Sequence, residues 1–341
     1  MKRIAISLLI LLFTIVFTLT VGGVAVTKAE KIKFTLASAL PPKSTVELAC
    51  QEFKRIIEAK TNGRIEITHY GASSLYHHKE LISAVSKNMV NMGILHPGIA
   101  GRRSPVLEFV GSFGAQGCWE SFDHYYRFVD DPEVLKIAAS EFNKYFNCRL
   151  LASCAFASGL VGAKKPIKKV DDYKGLKMRT SGTAQATVYR ALGAIPTELS
   201  SKEVYTALQR GTIDGVTGGT SRFRRSKYYE VAPYITVDVT TPYVSFWLVI
   251  NEDAWKTLSP DDQKLFEETG RYIEKWTREN AAKEREKDIV FLKTKAKEFI
   301  DFSDAERTKL LNTVRPTMKE FSKKRLGAMY DRLWELLEST K

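Results

Sequence analysis

The chain has 341 residues, of which 44% are hydrophobic and 27% are charged. This composition excludes a disordered chain, a collagen-like repeat and a disulfide-dense miniprotein, and the length predicts two domains. The formal net charge of +13 leaves nucleic acid, an anionic membrane surface and an acidic small ligand as candidate partners.

The first thirty residues narrow these candidates. Lys2 and Arg3 precede a long apolar stretch, which ends near Lys28 and Ala29. This pattern is typical of a secretory signal, so we expect residues 1–29 to be removed and the remainder to be exported. The stretch is longer than the usual signal core, which leaves an uncleaved membrane anchor as the alternative. Loss of three cationic residues lowers the formal charge from +13 to +10, and export argues against nucleic acid as a partner.

The four cysteines show no C-x-x-C spacing of a metal or redox site. Cys148 and Cys154 flank an apolar run that predicts a strand, and an extended strand would hold them too far apart for a disulfide. We therefore expect buried free thiols at Cys50, Cys118, Cys148 and Cys154.

The first part of the mature chain alternates between predicted strands and helices. The residues follow the order strand, helix, strand, helix, strand, which is the signature of a parallel sheet with crossover helices. The predicted elements are strands at 31–37, 65–70 and Met89–Leu95, a helix that ends at Asn62-Gly63, and a short helix around Leu81–Val85.

The same alternation restarts after a helical middle at about 120–146, which predicts a second α/β unit. Ser200 and Glu203 have the spacing of a capping box for one of its helices. The predicted elements here are strands at Arg149–Ser153, Gly175–Arg179, 211–216 and Ser245–Ile250, and helices at Thr183–Leu192 and through Gln209.

A long helix follows these two units. Ser259 and Pro260 have the residue types of an N-cap and a first helical position, and no further proline occurs before about Phe299. A helix of about 40 residues would be about 60 Å long, so it must brace more than one domain. Ser303 and Glu306 predict the cap of one more helix. Ligands of open α/β sheets lie beyond the carboxyl ends of the strands, which places the expected site in a cleft between the two units.

The sequence contains no nucleophile elbow, phosphate loop, dinucleotide fingerprint or zinc-protease motif. A zinc enzyme or hydrolase is one hypothesis, since imidazole binds zinc and the chain has His77, His78 and His96. No carboxylate or thiol stands at the spacing of a metal ligand, so we favour polar loop residues and expect no metal.

Arg179 ends a predicted strand just before a helix, where its planar guanidinium could pair with a ligand carboxylate. The alternative for Arg179 is a surface ion pair.

A second group of cations, Arg222, Arg224 and Arg225, is expected to be solvated, although one of them could face the cleft.

The central part of the chain resembles the solute-binding proteins of TRAP transporters, of the dicarboxylate-binding type. The resemblance extends in order over essentially the whole mature chain. It rests on Lys174–Arg179, Ala191–Ala194 and Ser201–Gly215, and continues in Asn62–Glu66, Lys227–Val231 and Trp247–Asn251.

This resemblance implies an α/β fold like that of type II periplasmic binding proteins, with two α/β domains around a ligand cleft and a long domain-spanning helix. The implied division places residues 30–156 and 245–284 in domain I, and residues 157–244 and 285–341 in domain II. The implied function is to bind a small organic acid and deliver it to the TRAP membrane permease subunits. We expect a monomer without enzymatic activity or cofactor. The alternative is a protein that presents its ligand to a membrane sensor.

The resemblance also assigns roles to residues. Arg179 matches the family's arginine that clamps the ligand carboxylate. His96 and His78 stand where the family commonly has acidic residues, and Gly218 lies where it commonly has asparagine. We expect these residues to line the site, together with Tyr243, Phe113 and Phe223 as further walls. Fewer fixed polar partners predict a smaller or more apolar ligand.

Overall fold

The structure is a computed structural model that describes residues 31–157, 159–237 and 243–341. The predicted signal peptide at 1–29 lies outside these residues. The described residues form two sheets, and each sheet with its helices is called a unit below. The strands of the first sheet have the order β2-β1-β3-β10-β4, and those of the second have the order β11-β9-β5-β8-β6-β7.

The first sheet is parallel except for one strand. Strands β1, β2 and β3 pair in parallel, whereas β10 is antiparallel to both β3 and β4. Because β10 runs the other way, its first residues lie at the edge where β3 ends. The strands are β1 (Ile32–Ala37), β2 (Ile65–Tyr70), β3 (Met92–Leu95), β4 (Cys148–Ala157) and β10 (Tyr243–Asn251).

The second sheet repeats this arrangement with β5 as its antiparallel strand, between β8 and β9. Strands β6, β7 and β8 pair in parallel, so their carboxyl ends meet at one edge. The strands are β5 (Leu160–Ala163), β6 (Lys177–Thr180), β7 (Ile195–Glu198), β8 (Gly215–Gly218), β9 (Tyr234–Val237) and β11 (Glu298–Ile300).

Helices connect and cover these strands. The predicted helical middle consists of two helices, because Asp131 caps the second one through its side chain and Pro132 is its first residue. The helices are α1 (Thr45–Lys60), α2 (His78–Ser86), α3 (Pro97–Ala100), α4 (Pro105–Val110), α5 (Phe122–Asp130), α6 (Pro132–Phe146), α7 (Thr183–Ala191), α8 (Val204–Arg210), α9 (Thr220–Arg225), α10 (Tyr228–Val231), α11 (Glu252–Trp255), α12 (Pro260–Lys295), α13 (Asp304–Leu326) and α14 (Tyr330–Ser339). Shorter 3-10 turns occur at Phe113–Ala115, Val170–Tyr173 and Gly327–Met329.

Helix α12 joins the two units. Its 36 residues span about 54 Å, and the side chain of Ser259 caps its first turn as the sequence predicts. Glu274 accepts a hydrogen bond from the backbone N–H of Ser153 at 2.8 Å, and Thr277 accepts one from Ala155 at 3.1 Å. These bonds satisfy backbone donors on β4, the edge strand of the first sheet. Further along, α12 packs on α9 of the second unit.

The C-terminal helix packs on the first unit. The ring centroids of Trp334 and Phe109 lie 5.7 Å apart, and His124 Nε2 is 2.8 Å from the carbonyl oxygen of Leu337. Helix α13 contacts elements of both units, among them α4 and α7.

The prediction that the four cysteines are buried is confirmed, and the structure describes them as free thiols. A large hydrophobic core includes the first sheet and part of the second unit, while a smaller one lies in the second unit around Phe223, Tyr228 and Leu292. Within the described residues, no helix has the length and apolar character needed to cross a bilayer.

Candidate ligand-binding site

The candidate site lies where the carboxyl ends of the parallel strands of both sheets face each other. His96 directly follows β3, Arg179 lies in β6, and Gly218 ends β8. Two contacts join the units near this region: Lys202 Nζ lies 2.8 Å from His77 Nε2, and Arg102 pairs with Glu198 at 3.3 Å. The strand ends thus form the cleft that the sequence predicts for an α/β fold.

Aromatic rings form the wall that the first unit contributes. The ring of His96 lies 5.2 Å from Phe113 and 5.2 Å from Phe246, and 5.3 Å from the ring of His78. Phe156 adds a further contact, 5.3 Å from Phe246. The three phenylalanines are mostly buried, whereas both histidines keep partial exposure. The wall therefore combines an apolar surface with imidazole nitrogens.

A backbone hydrogen bond orients His96. Its Nδ1 accepts from the N–H of Gly98 at 3.0 Å, as the cap of helix α3. Since a neutral imidazole carries one hydrogen, this bond assigns the hydrogen to Nε2 and makes that atom a donor. Burial and the nearby charges of Arg179 and Arg222 lower the pKa of His96 well below its ordinary value, so the ring is neutral at pH 7.

His78 is also neutral, and it has an unused polar atom. Burial, together with the charge of Arg222, lowers its pKa to about 3. Its Nδ1 is buried and has no hydrogen-bond partner in the part of the chain that the structure describes. A buried polar atom without a partner is uncommon in folded proteins, and this one belongs to a ring that lies 5.3 Å from that of His96.

Arg179 lies on the opposite side of the cleft, in the second unit. Its Nε donates to the carbonyl oxygen of Leu199 at 3.0 Å, which fixes the plane of the guanidinium and leaves both terminal amino groups for another partner. The side chain is half-buried, and burial is the main cause that lowers its pKa. The carboxylate of Glu198 interacts electrostatically with Arg179, but it forms its ion pair with Arg102. Arg179 thus holds a positive charge that a bound carboxylate can neutralise.

The three arginines of helix α9 differ from one another. Arg224 pairs with Asp288 at 3.1 Å and Arg225 with Glu284 at 3.1 Å, so these two bind the long helix. Arg222 is half-buried, and its positive charge acts on Arg179 and on both cleft histidines. Arg222 is thus less exposed than a fully solvated arginine, and it remains the candidate among the three for the one that could face the cleft.

A family model described as bacterial extracellular solute-binding protein, family 7 (DctP), matches residues 36–324. The chain belongs to this family. The resemblance to TRAP solute-binding proteins and the two-domain α/β fold that it implies are confirmed.

Relatives and solved structures of this family cover most of the chain. The C4-dicarboxylate-binding periplasmic protein of Rhodobacter capsulatus is 28% identical over 309 residues, which are 88% of this chain and 89% of the relative. A TRAP solute-binding protein from Desulfovibrio salexigens with bound orotic acid aligns with a TM-score of 0.83 at 19% identity, over 91% of this chain and 98% of that one. A solute receptor from Bordetella pertussis that binds pyroglutamic acid aligns with a TM-score of 0.82 at 19% identity, over 90% of this chain and 99% of that one. At this identity the two structures show the fold alone.

The other predicted residues of this family 7 protein occupy different places. Gly218 lies beside Arg222, since a Cβ built on it would be 3.9 Å from Arg222 Cγ. Phe223 lies in the core of the second unit with no exposed surface and packs against Gly162, so the structure does not bring it into the cleft. Tyr243 is the first residue of β10, and its side chain lies outside what the structure describes.

The three histidines of the zinc hypothesis have different neighbours. His77 contacts Lys202, whereas His78 and His96 stack with each other and with Phe246. Among the described residues, no three histidine, cysteine or carboxylate side chains lie close enough together to hold a metal ion.

Sequence reasoning missed Phe246 and Phe156 as neighbours of the site. Phe246 belongs to an apolar strand, and a sequence does not show which face of a fully buried strand a residue occupies. The antiparallel direction of β10 brings Phe246 to the end of β3, next to His96. Only the strand order, which the sequence does not state, could have revealed this.

Proposed function

We propose that this TRAP solute-binding protein binds a small organic acid in the cleft between its two units, with Arg179 holding a carboxylate of the ligand. The observation that carries the proposal is the guanidinium of Arg179, fixed through its Nε on Leu199 and without a bonding partner for its terminal nitrogens among the described residues. A planar guanidinium pairs with a carboxylate through two parallel hydrogen bonds.

The opposite wall supports an apolar body for the ligand. Phe113 and Phe246 offer no hydrogen bonds, and the imidazoles of His78 and His96 are neutral. A ligand between this wall and Arg179 would place its acid group on the second unit and its body against the first. Closure of the cleft would then exclude water and strengthen the ion pair.

We infer that the two units move as bodies relative to each other, with helix α12 as the brace. The C-terminal helix would move with the first unit, on which it packs. The closed, liganded form would then be the one that the permease subunits recognise. The protein would act as a monomer and leave its ligand chemically unchanged.

The compartment belongs to the same proposal. We propose that residues 1–29 direct export and are then removed, which would release the protein into the periplasm. Sequencing of the N-terminus of the exported protein tests this step: a chain that begins after Ala29 supports it, and an intact Met1 favours a tethered protein.

A thermal-shift screen against monocarboxylates, dicarboxylates and sugar acids tests the binding function. We expect at least one acid to raise the melting temperature, and we expect Arg179→Ala to lose this shift while Arg190→Ala keeps it. Arg190 is a suitable control because it is exposed on helix α7. The proposal is wrong if no acid stabilises the wild type, or if Arg179→Ala binds its ligand equally well. Mass spectrometry of the recovered acid shows whether it is unchanged.

A further inference from the structure

The second sheet has an edge that lies away from the cleft. The carboxyl ends of β6, β7 and β8 border the cleft, so their amino ends meet at the opposite edge. Strand β5 runs the other way and ends there, with Ala163 between Gly215, the first residue of β8, and Tyr234, the first residue of β9. Strand β11 also begins there, since Glu298 pairs with Tyr234. We call the surface at this edge the basal face.

Lysines concentrate on the basal face. Residues 164–169 directly follow β5 and contain four of them, Lys177 begins β6, and Lys297 precedes β11. The turn at 164–169 is held in place. Ile167 is buried and its carbonyl oxygen accepts from Thr236 Oγ1 at 2.9 Å, while the N–H of Lys164 donates to the carbonyl oxygen of Asp214 at 2.9 Å. The fold therefore presents these lysines at a fixed position.

Two more cations lie beside this turn. A Cβ built on Gly193, two residues before β7, would lie 3.1 Å from Lys174 Cγ. Arg210 directly precedes Gly211, on which a Cβ would lie 3.3 Å from Lys164 Nζ. Except for the half-buried Lys164, all the cations of the basal face are exposed. The basal patch consists of Lys164, Lys165, Lys168, Lys169, Lys174, Lys177, Arg210 and Lys297.

Four carboxylates share the basal face, and two of them bind backbone donors. Asp172 accepts from the N–H groups of two of the lysines, at 2.8 and 3.0 Å, and Asp214 accepts from the N–H of a third at 2.8 Å. The other two, Asp171 and Glu298, form solvent-exposed ion pairs with lysines, both at 2.7 Å. Eight cations against four carboxylates leave a formal excess of +4, out of +10 for the exported chain.

The residue type of these cations indicates the kind of partner. Seven of the eight are lysines. Protein–protein interfaces are enriched in arginine and depleted in lysine, because the planar guanidinium suits directional contacts. The ammonium group of lysine is a compact, hydrated charge, which suits diffuse attraction to a surface of phosphate headgroups.

We propose that the basal patch binds the second unit to an anionic phospholipid surface, and so holds the protein at the membrane in which the permease lies. This inference goes beyond ligand binding and rests on the proposed export for its setting. The cleft lies at the other end of the strands, so it stays open to the ligand while the patch is bound.

Co-sedimentation with lipid vesicles tests the proposal. Vesicles of phosphatidylcholine, with and without about one third of phosphatidylglycerol, are compared at two salt concentrations. Charges act over about 10 Å at about 0.1 M salt and over about 3 Å at about 1 M. We expect the wild type to sediment with the anionic vesicles at low salt, but neither with the neutral vesicles nor with the anionic ones at high salt.

Two variants that lose three charges each locate the effect. The basal variant replaces three exposed lysines of the patch, as Lys165→Gln, Lys169→Gln and Lys177→Gln. The control variant replaces three exposed lysines of the first unit, as Lys60→Gln, Lys87→Gln and Lys136→Gln. One lysine near an anionic surface changes the partition coefficient by roughly fivefold. The basal variant should therefore lose about tenfold or more, and the control variant less than about threefold.

Three results would overturn the inference: a wild type that ignores the anionic vesicles, a basal variant that partitions as the wild type does, and a control variant that loses as much as the basal one. Retention on polyglutamate without vesicle binding would favour an acidic protein and also remove the membrane role. The salt and lipid comparisons need only the wild type, so they decide even if the basal variant does not fold.

The thermal shift by an organic acid separates this inference from the proposed function. Both variants should keep that shift, because their lysines lie outside the cleft. A wild type that binds anionic vesicles but is stabilised by no acid would refute the proposed function and leave the basal patch standing.

Discussion

Replacement of Arg179 by lysine separates the charge of this residue from its geometry. Lysine keeps the positive charge but carries a single nitrogen, so Arg179→Lys loses the Nε hydrogen bond to Leu199, which is 3.0 Å long in the structure. It also loses the paired terminal amino groups that would bind both oxygens of a carboxylate. We therefore expect weaker binding even though the net charge is unchanged.

The size of the effect follows from the bonds that are lost. One hydrogen bond to a charged group is worth about 1.5–3 kcal/mol, so the Kd should rise by roughly 10- to 100-fold. Stability should change less, because the ammonium group of lysine can extend into the cleft and stay hydrated when no ligand is bound. Binding and folding thus respond by different amounts.

Isothermal titration with the acid that stabilises the wild type most measures the Kd, and thermal unfolding without ligand measures stability. Arg190→Lys, in an exposed position of helix α7, is the control and should behave as the wild type in both assays. A Kd for Arg179→Lys within about threefold of the wild-type value would refute the reasoning, since the charge alone would then explain recognition.

Three further substitutions test other parts of the structure. Gly98→Ala places a Cβ 3.2 Å from Cε1 of His96, so the ring must shift; titration should show a Kd raised roughly tenfold with little change in stability. Gly270→Ala places a Cβ 2.1 Å from the backbone oxygen of Leu151, which forces helix α12 away from β4; urea unfolding should show a loss of about 2 kcal/mol or more. Burial raises the pKa of Glu274 to about 7, so the native carboxyl keeps a proton that the unfolded chain releases, and stability is lost as the pH rises from about 4.5 to about 7. Glu274→Gln cannot ionise, and urea unfolding should find it more stable than the wild type at pH 8 by an amount of the order of 1 kcal/mol, and equal to it at pH 4.

Each of these expectations has an outcome that contradicts it. An unchanged Kd for Gly98→Ala would mean that the ring of His96 does not contact the ligand. A loss below about 0.5 kcal/mol for Gly270→Ala would mean that the helix and the strand separate easily. Parallel pH profiles for the wild type and Glu274→Gln would mean that the carboxyl of Glu274 is ionised throughout.

Local signals predicted the regular elements well where capping residues or strong alternation were present. The start of helix α12 at Ser259 and Pro260 is confirmed. These residues could be recognised in the sequence because an N-cap and a first-position proline depend only on the neighbouring residues of the first turn. Its end was predicted too late, since Phe299 belongs to β11, which pairs with the distant strand β9. The strand expected at Met89–Leu95 begins only at Met92, and Met89 is 62% exposed. Pairing with a remote strand leaves no signal in the local sequence.

The candidate site was predictable only in part, for a related reason. Strand ends directed attention to His96 and Arg179, since strand ends meet at one edge of a sheet. The contacts of Phe246 depend on the direction of β10, and the neighbours of Arg222 depend on which face of a six-residue helix turns inward. Three arginines within four positions look equivalent in a sequence. Only the location of Asp288 and Glu284 on helix α12 distinguishes them.

The strand order also has a consequence for the order in which the protein folds. Strand β10 lies between β3 and β4 in the first sheet, yet it is synthesised only after most of the second unit. Until then β3 and β4 have no common neighbour. Strand β3 exposes unpaired backbone groups along one side, and β4 exposes them along both, because helix α12, which bonds its other side, is synthesised later still. Contacts between such distant parts of a chain form slowly. A fragment that ends before Tyr243 would therefore be an aggregation-prone intermediate, and completion of the first sheet would be a late event that follows synthesis of the second unit.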